Sequence, residues 1–357
     1  MAKFTDIFED VTKQGTKIPT NLYLETGMYP IIDQGQSQVA GYTNQTEGLF
    51  TDIPAIIFGD HTRIIKYIDT PCFLGADGVK LLKAKDPTAN YKYLYYALCN
   101  ADIPNTGYNR HFKWLKEIEI PEYSSEEQSK IVAQFEEIDN VISLRKQQLA
   151  KLDELVKSRF IELLEKEEYK KVTVSSVLNT GFWLMPATPE FIVDGEVPYI
   201  TSKNIKNRTI DFDNVKYISR EAYKSISANR PTQKGDILIS MIGTLGQTAV
   251  IQDDREFYGQ NLYLLRLNNA IVNTTYFCEF FNSDTAQYKL QGKRNQSTQA
   301  YLKANHVEDL ILSLPPMKLQ EQFAAFVEQV DKSKVEIQKS LQQLETLKKA
   351  LMQKYFG

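Results

Sequence analysis

Two stretches of this chain, 192 positions apart, carry one pattern. The first runs Glu127-Gln128-Ser129-Lys130-Ile131-Val132-Ala133-Gln134-Phe135-Glu136-Glu137-Ile138-Asp139. The second runs Leu319-Gln320-Glu321-Gln322-Phe323-Ala324-Ala325-Phe326-Val327-Glu328-Gln329-Val330-Asp331. Gln128 falls on Gln320 and Asp139 on Asp331, and Leu149, Leu152 and Leu155 then fall on Leu341, Leu344 and Leu347. A gapless match over some thirty residues marks an internal duplication, and a duplication fixes the plan of the whole fold.

Both copies read as long helices. In the first, Ile131, Phe135, Ile138, Ile142, Leu149, Leu152 and Val156 form a ladder in steps of four and three, broken at Arg145 and ending on Arg159. In the second, Phe323, Val327, Val330, Ile337, Leu341, Leu344 and Leu351 do the same, broken at Lys334 and Lys348. Apolar residues every 3.5 positions specify a coiled-coil seam. Helices of about 40 residues would be roughly 60 Å long. The breaks in one ladder sit where the other copy is apolar (Arg145 against Ile337, Lys334 against Ile142), so the helices are expected to pair with each other rather than as homodimer halves. Two separate amphipathic helices on globular cores are the alternative.

The segments before each helix are duplicated more weakly. Gly27-Met28-Tyr29-Pro30-Ile31-Ile32 resembles Gly195-Glu196-Val197-Pro198-Tyr199-Ile200, and Ala55–Gly59 resembles Asp236–Ser240. Short runs of Ile, Val, Tyr and Phe broken by Gly, Asp and Asn predict strands at Ile53–Phe58, Ile64–Ile68, Val79–Leu82, Asp236–Met241 and Leu262–Leu267. Helix-like stretches follow at Tyr91–Cys99 and Thr275–Phe281. The expected layout is globule 1–120, long helix 121–171, globule 172–314 and long helix 315–357.

The net charge of −3 excludes a polybasic chain that holds nucleic acid by bulk charge, though local patches can still read it. With 42% apolar and 24% charged residues the chain is not wholly disordered, and no apolar run reaches the roughly 18 residues of a membrane span. The N-terminus turns acidic by Glu9-Asp10 and does not read as a secretory signal. Cys72, Cys99 and Cys278 are widely spaced, which predicts a reduced, cytoplasmic protein with incidental thiols.

Familiar catalytic patterns are missing from the sequence. Gly243-Thr244-Leu245-Gly246-Gln247-Thr248 has Gln where a phosphate-binding loop needs Lys, and reads as a β-turn. No GxGxxG opens a helix, so a fused dinucleotide or methyl-donor domain is not expected. Ser313-Leu314-Pro315-Pro316 lacks the Asn of an amino-methyltransferase loop, and its prolines suit a helix entry. His61, His111 and His306 have no partner at metal-ligand spacing. The chain alone is expected not to be a catalyst and to hold no metal.

Two polar loops precede the strands that feed the long helices. One is Gly107-Tyr108-Asn109-Arg110-His111-Phe112-Lys113-Trp114, and the other is Gln291-Gly292-Lys293-Arg294-Asn295-Gln296-Ser297-Thr298-Gln299-Ala300-Tyr301. Arg can pair with guanine and Asn or Gln with adenine, which makes Asn109, Arg110, His111, Lys113, Lys293, Arg294, Asn295, Gln296 and Gln299 candidate DNA contacts. A solvated loop is the alternative; recurrence in both halves favours function. Secondary candidates are Gln36, His61 and Arg63 in the first globule, with Lys203, Asn204, Lys206 and Arg208 in the second. Asp60, beside His61 and Arg63, suits either a contact or a buried pair closing a hairpin. Lys203, Lys206 and Arg208 lie spread along a loop, as phosphate contacts do.

This organisation resembles the specificity subunit of type I restriction-modification enzymes over the whole chain. The resemblance rests on the Pro-then-Gln helix entries (Pro121 to Gln128; Pro315, Pro316 to Gln320), the run to Asp139 and the Leu ladders. Phe58-Gly59-Asp60-His61-Thr62-Arg63 and Asn109-Arg110-His111-Phe112-Lys113 also look like recognition-domain sequences. It implies an α+β fold of two mixed α/β target-recognition domains, each followed by a long helix. The helices would pair as an antiparallel coiled coil in a pseudo-twofold repeat. It further implies that each domain reads half of a split duplex DNA target while the helix pair fixes the gap. Two methylation subunits carrying S-adenosylmethionine and restriction subunits using ATP and Mg would be its partners. Because the chain starts almost directly in the first recognition domain, any N-terminal segment completing the circular symmetry is expected to be minimal.

Two other classes remain open to the sequence. One is a coiled-coil scaffold with two protein-binding modules; the other is an enzyme with an unfamiliar site. Neither accounts for Arg/Asn/Gln loops in both halves.

Overall fold

Short apolar runs become strands, and they do so twice in the same order. The computed structural model describes residues 1–357 except 76, 108, 166, 186–187, 207, 244 and 294–300. It divides into two units, residues 1–147 with 338–357, and residues 148–337.

In the first unit the order is β1 (Ala2–Lys3), α1 (Phe4–Ile7), β2 (Phe8–Asp10), β3 (Tyr29–Ile32), β4 (Gly41–Thr43), β5 (Ala55–Gly59), β6 (Ile65–Ile68), β7 (Phe73–Leu74), β8 (Val79–Ala84), α2 (Tyr91–Cys99), α3 (Phe112–Leu115) and β9 (Glu119–Ile120). α4 (Ser125–Glu165) then begins. The sheets are β2-β8-β5-β6, β4-β3-β7 and β1-β9. All five residues of β5 are buried, which suits a central strand read as an unbroken apolar run.

The second unit repeats the plan. After α4 come β10 (Lys170–Thr173), β11 (Leu178–Leu184), β12 (Val197–Ile200), β13 (Ile205–Lys206), β14 (Thr209–Ile210), β15 (Lys216–Ile218), α5 (Arg220–Ser227), β16 (Ile237–Ser240), β17 (Thr248–Val250), β18 (Tyr258–Gly259), β19 (Leu262–Leu267), α6 (Thr274–Asn282), α7 (Asp284–Gly292), α8 (Ala304–Glu308), β20 (Ile311–Leu314) and α9 (Met317–Phe356). Its sheets β11-β19-β16-β17, β15-β12-β18 and β10-β20 match those of the first unit strand for strand. The parallel pairs agree as well: Ile32 lies opposite Leu74, and Ile200 opposite Gly259. The weak sequence matches therefore fall on equivalent strands, β3 with β12 and β5 with β16. Among the described residues three additions distinguish the second unit, the β13–β14 hairpin and helices α5 and α7.

The long helices run antiparallel. In the first unit Phe135 of α4 packs on Phe356 of α9, their rings 6.0 Å apart, and Asp139 takes the ammonium of Lys348. In the second, Lys334 reaches Asp153 at 2.6 Å and Phe160 meets Phe323 at 5.6 Å. In both units, advancing along α4 means retreating along α9. The ladder breaks Lys334 and Lys348 are thus filled by lysines that reach carboxylates across the seam.

Burial along the seam is uneven. Ile131, Phe135, Ile138, Val156, Phe323, Val327 and Val330 are buried, whereas Ile142, Leu149, Leu152, Ile337, Leu341 and Leu344 are half-buried. The buried ends gain a third layer, Tyr96 of α2 stacking on Phe135 at 4.8 Å and Tyr276 of α6 lying 5.5 Å from Phe160. A two-helix seam without that layer leaves part of each side chain in water. The expected last rung, Arg159, is exposed, and its neighbour Phe160 is buried instead. Leu155 and Leu347, equivalent in sequence, are both 48% exposed and lie off the seam.

The Gln at each helix entry has a physical role. Gln320 is fully buried; its Oε1 accepts the Asn273 N–H at 2.9 Å and its Nε2 donates to the Pro315 carbonyl at 2.8 Å. Gln128 Nε2 donates to the carbonyl of Tyr123, the residue equivalent to Pro315, at 3.0 Å. Each amide satisfies backbone groups that the chain leaves open as it turns into the helix.

Candidate nucleic-acid interface

In the first unit four segments far apart in sequence meet at one place: the loop after β3, the β5–β6 turn, the β7–β8 turn and the segment between α2 and α3. Gln34 ties three of them. Its Oε1 accepts the His61 N–H at 3.1 Å, its Nε2 donates to the Asp77 carbonyl at 2.9 Å, and its carbonyl accepts Thr62 Oγ1 at 2.8 Å. A side chain at Gly78, whose φ is +87°, would run into the Gln34 amide 2.4 Å away, so this approach requires glycine. The α2–α3 segment is tied in by His111, whose N–H donates to the Asp60 carbonyl at 2.7 Å, and by Phe112, whose N–H donates to Asp60 Oδ1 at 2.7 Å.

This geometry buries Asp60, which is 4% exposed, and gives its carboxylate the Phe112 N–H of the α2–α3 segment as a partner, a different role from the hairpin-closing pair suggested by its neighbours His61 and Arg63. It also corrects several expected contacts. His111 is fully buried, its Nδ1 2.9 Å from the Asp60 carbonyl, so it holds the loop and presents no edge to a ligand. Arg63 sits at φ +62° and donates Nη1 to the Ile103 carbonyl at 2.9 Å, bracing the α2–α3 segment from inside. Asn109, Arg110, Lys113 and Gln36 are exposed. His61 is half-buried, its Nδ1 3.1 Å from the Asn109 carbonyl. Lys113 lies over the Trp114 ring at 4.8 Å.

The second unit builds the same junction. The β16–β17 turn takes the place of the β5–β6 turn, and Gly243 (φ +82°) and Gly246 (φ +76°) give it the turn expected of that glycine-rich stretch. Leu302 N–H donates to the Met241 carbonyl at 2.9 Å, as His111 does to Asp60. Lys203 and Lys206 are exposed, and Lys206 pairs with Asp211 at 2.7 Å. Lys293, which ends α7, is exposed. Arg294, Asn295, Gln296 and Gln299 lie outside the described residues.

Two expected contacts in this unit are committed elsewhere. Asn204 closes a capping box: its Oδ1 accepts the Thr201 N–H at 3.0 Å and its Nδ2 donates to the Asp211 carbonyl at 3.0 Å. Arg208 makes a two-pronged ion pair with Glu279 of α6. Both side chains are engaged within the unit.

Gln260 and Asn261 are two further polar residues that no pattern in the sequence singles out. They follow β18 and line a cleft of about 570 Å³ with Lys203 and Lys206 on its rim. Only the fold brings them beside Lys203, some sixty residues earlier; in sequence they sit inconspicuously before a strand. Elsewhere, burial pushes the Cys72 thiol up to about 11 and the Cys278 thiol up to about 12, as for inert core thiols. Among the described residues no group of three or more His, Cys, Asp or Glu could hold a metal ion, and no helix is long and apolar enough to cross a membrane.

A model of the type I restriction modification DNA specificity domain matches residues 1–154 and again 166–349. The type I restriction enzyme EcoR124I/EcoR124II specificity subunit of Escherichia coli is 27% identical over 225 residues, covering 56% of this chain and 54% of that protein. A putative type I restriction enzyme MjaX specificity subunit of Methanocaldococcus jannaschii is 27% identical over 168 residues, 44% of this chain and 39% of that one. The chain thus spans about half the length of the curated relatives it matches, or less. Among solved structures, the S subunit of a type I restriction-modification system from M. genitalium superimposes with a TM-score of 0.60 at 18% identity, covering 99% of this chain and 95% of that one. A structure from work on complex assembly and conformational transition of the type I R-M system gives 0.55 at 15%, with the same coverage. At such identities the likeness is one of fold.

Proposed function

Because the chain belongs to the type I restriction-modification DNA specificity family, we propose that it is the subunit that selects the DNA sequence for such a system. Each recognition domain reads one half of a bipartite duplex target, and the α4–α9 pair sets the spacer between the halves. Two methylation subunits, bringing S-adenosylmethionine, modify adenine within the target. Restriction subunits, bringing ATP and Mg, cut through the same assembly. The chain itself supplies recognition and no catalysis, and works in the cytoplasm.

One observation carries this reading: the same loop junction is built in both units, and each presents exposed Lys, Arg, Asn or Gln side chains. Arg110 in the first unit and Lys203 in the second stand exposed where a duplex could be met, while the Asn109 amide, also exposed, donates to the Thr106 carbonyl. A duplicated chain can let its two junctions diverge, as identical dimer halves cannot, so the half-sites need not be palindromic. Docking two reading heads on one face of DNA calls for centres roughly 34 Å apart, one helical turn.

Single-molecule methylation calling on host DNA, with and without this gene, tests the proposal. Loss of a split adenine motif on deletion is the expected result. An unchanged methylome would overturn it.

A further inference from the structure

At one topologically equivalent position the two recognition domains differ in kind. Gly75, just after β7, donates its N–H to the Ile32 carbonyl at 2.7 Å; Gln260, just after β18, donates its N–H to the Ile200 carbonyl at 3.1 Å. In the first unit a Cβ at Gly75 would lie 2.3 Å from the Cβ of Asp33, so no side chain fits. In the second unit that spot opens into the cleft of about 570 Å³, and Gln260 and Asn261 both line it.

The two amides are held differently. Tyr199 Oη donates to Gln260 Oε1 at 3.4 Å, which orients the amide and leaves its NH₂ on the other side. Asn261 sits at φ +63°, where residues other than Gly, Asn and Asp rarely go, and its carbonyl accepts the Met241 N–H at 3.2 Å. That bond joins Asn261 to the β16–β17 turn of the junction. Lys203 on the rim is exposed and makes no ion pair among the described residues.

We propose that Gln260 and Asn261 are base-reading residues of the second recognition domain, taking an adenine edge while Lys203 meets the neighbouring phosphate. A carboxamide offers one donor and one acceptor side by side, which matches N7 and N6 of adenine in the major groove. A lysine on the rim supplies the sequence-independent part of the grip. The first domain, with Gly75 at this position, reads its half-site without such a pair. The inference rests on the DNA-selecting role proposed above.

Two variants test it in the full-length chain, tagged and purified from its host in its native assembly. Asn261→Gly removes the amide and keeps the left-handed backbone, which glycine adopts freely. Gln260→Glu keeps the shape but exchanges the amide NH₂ for an acceptor, which favours cytosine N4 over adenine. Each assembly selects from a random duplex library, and the enriched DNA is sequenced. Asn261→Gly is expected to lower preference at one position of one half-site about tenfold, as loss of a bidentate base pair does. Gln260→Glu is expected to shift the preferred base within that same half, and the other half stays unchanged in both. Unchanged letters in both variants, or an equal loss across all sequences, would overturn the inference alone. A wild-type assembly that enriches no split motif would overturn the proposed function and this inference with it.

Discussion

Glu279 is the sixth residue of α6, and Arg208, on the β13–β14 hairpin, grips its carboxylate with two guanidinium nitrogens, one at 3.1 Å. The sixth residue of the equivalent α2 is Tyr96, whose hydroxyl donates to Asp139 of α4 at 3.1 Å. Glu279 instead faces the charge of Asp331, the repeat of Asp139, and both Arg208 and Lys334 offset it. One position in the duplicated fold therefore carries a neutral hydroxyl in one half and a carboxylate within a charge cluster in the other. The added hairpin of the second domain is anchored through that cluster.

Removing Arg208 strands a buried carboxylate. Burial already holds Glu279 above the ordinary carboxylate range, with Arg208 pulling it part of the way back. A raised native value means that the folded chain binds the proton more readily than the unfolded one, so stability falls as pH rises through it. Arg208→Ala raises it further. The expected loss is about 2 kcal/mol at mildly alkaline pH, discounted for the half-exposed arginine, and less in mild acid where Glu279 is protonated. Urea unfolding followed by Trp183 fluorescence in a Trp114→Phe background measures it, and adding Glu279→Gln should flatten the pH dependence. A deficit that grows toward acid would contradict this account.

The Asp60 clasp predicts a split between two substitutions. Asp60→Ala leaves the buried Phe112 N–H without its acceptor and should cost about 1–3 kcal/mol. Asp60→Asn keeps an oxygen at that place and should cost less. Trp114 fluorescence in a Trp183→Phe background follows the first unit. Equal losses would show that the charge, not the acceptor, matters.

The helix-entry amides predict an asymmetry between the repeats. Gln320→Leu opens the Asn273 N–H and the Pro315 carbonyl in a fully buried place and should cost about 1–3 kcal/mol. Gln128→Leu, at a half-buried site with one such bond, should cost about 1 kcal/mol or less. Denaturant titration of the two variants side by side gives the comparison, and a larger loss at Gln128 would reverse the assignment.

Arg110 is exposed and makes no ion pair among the described residues. Arg110→Ala is expected to relax one position of one half-site and leave the other half intact. Methylation calling in cells carrying the variant reads this directly. A uniform drop across all sites would make Arg110 a phosphate contact.

Inserting one heptad into α4 or α9 alone keeps each seam in phase while changing its length. The expected outcome is a changed spacer, or loss of the target, with the same letters in each half. The same spacer with altered letters would remove the helices from the measuring role.

The repeat, the two long helices, their seam and five of the strands are legible in the chain, those strand ends within two residues of the observed ones. The first long helix, expected over 121–171, runs from Ser125 to Glu165. Helix Tyr91–Cys99 falls where the apolar spacing puts it, and the strand expected over Ile53–Phe58 runs from Ala55 to Gly59. These features are legible because periodicity and turn chemistry are local: each residue's role is set by neighbours a few positions away. Which polar residues are spent and which are offered was decided by tertiary structure alone. His111, Arg63, Asn204 and Arg208 resemble their exposed neighbours in composition, yet their partners are Asp60, Ile103, Asp211 and Glu279. The Gln260–Asn261 pair was hidden for the same reason, since its cleft exists only where β12 and β18 run side by side. A side chain's hydrogen-bond partner depends on loops that meet only after folding, and no local pattern in the chain records that meeting.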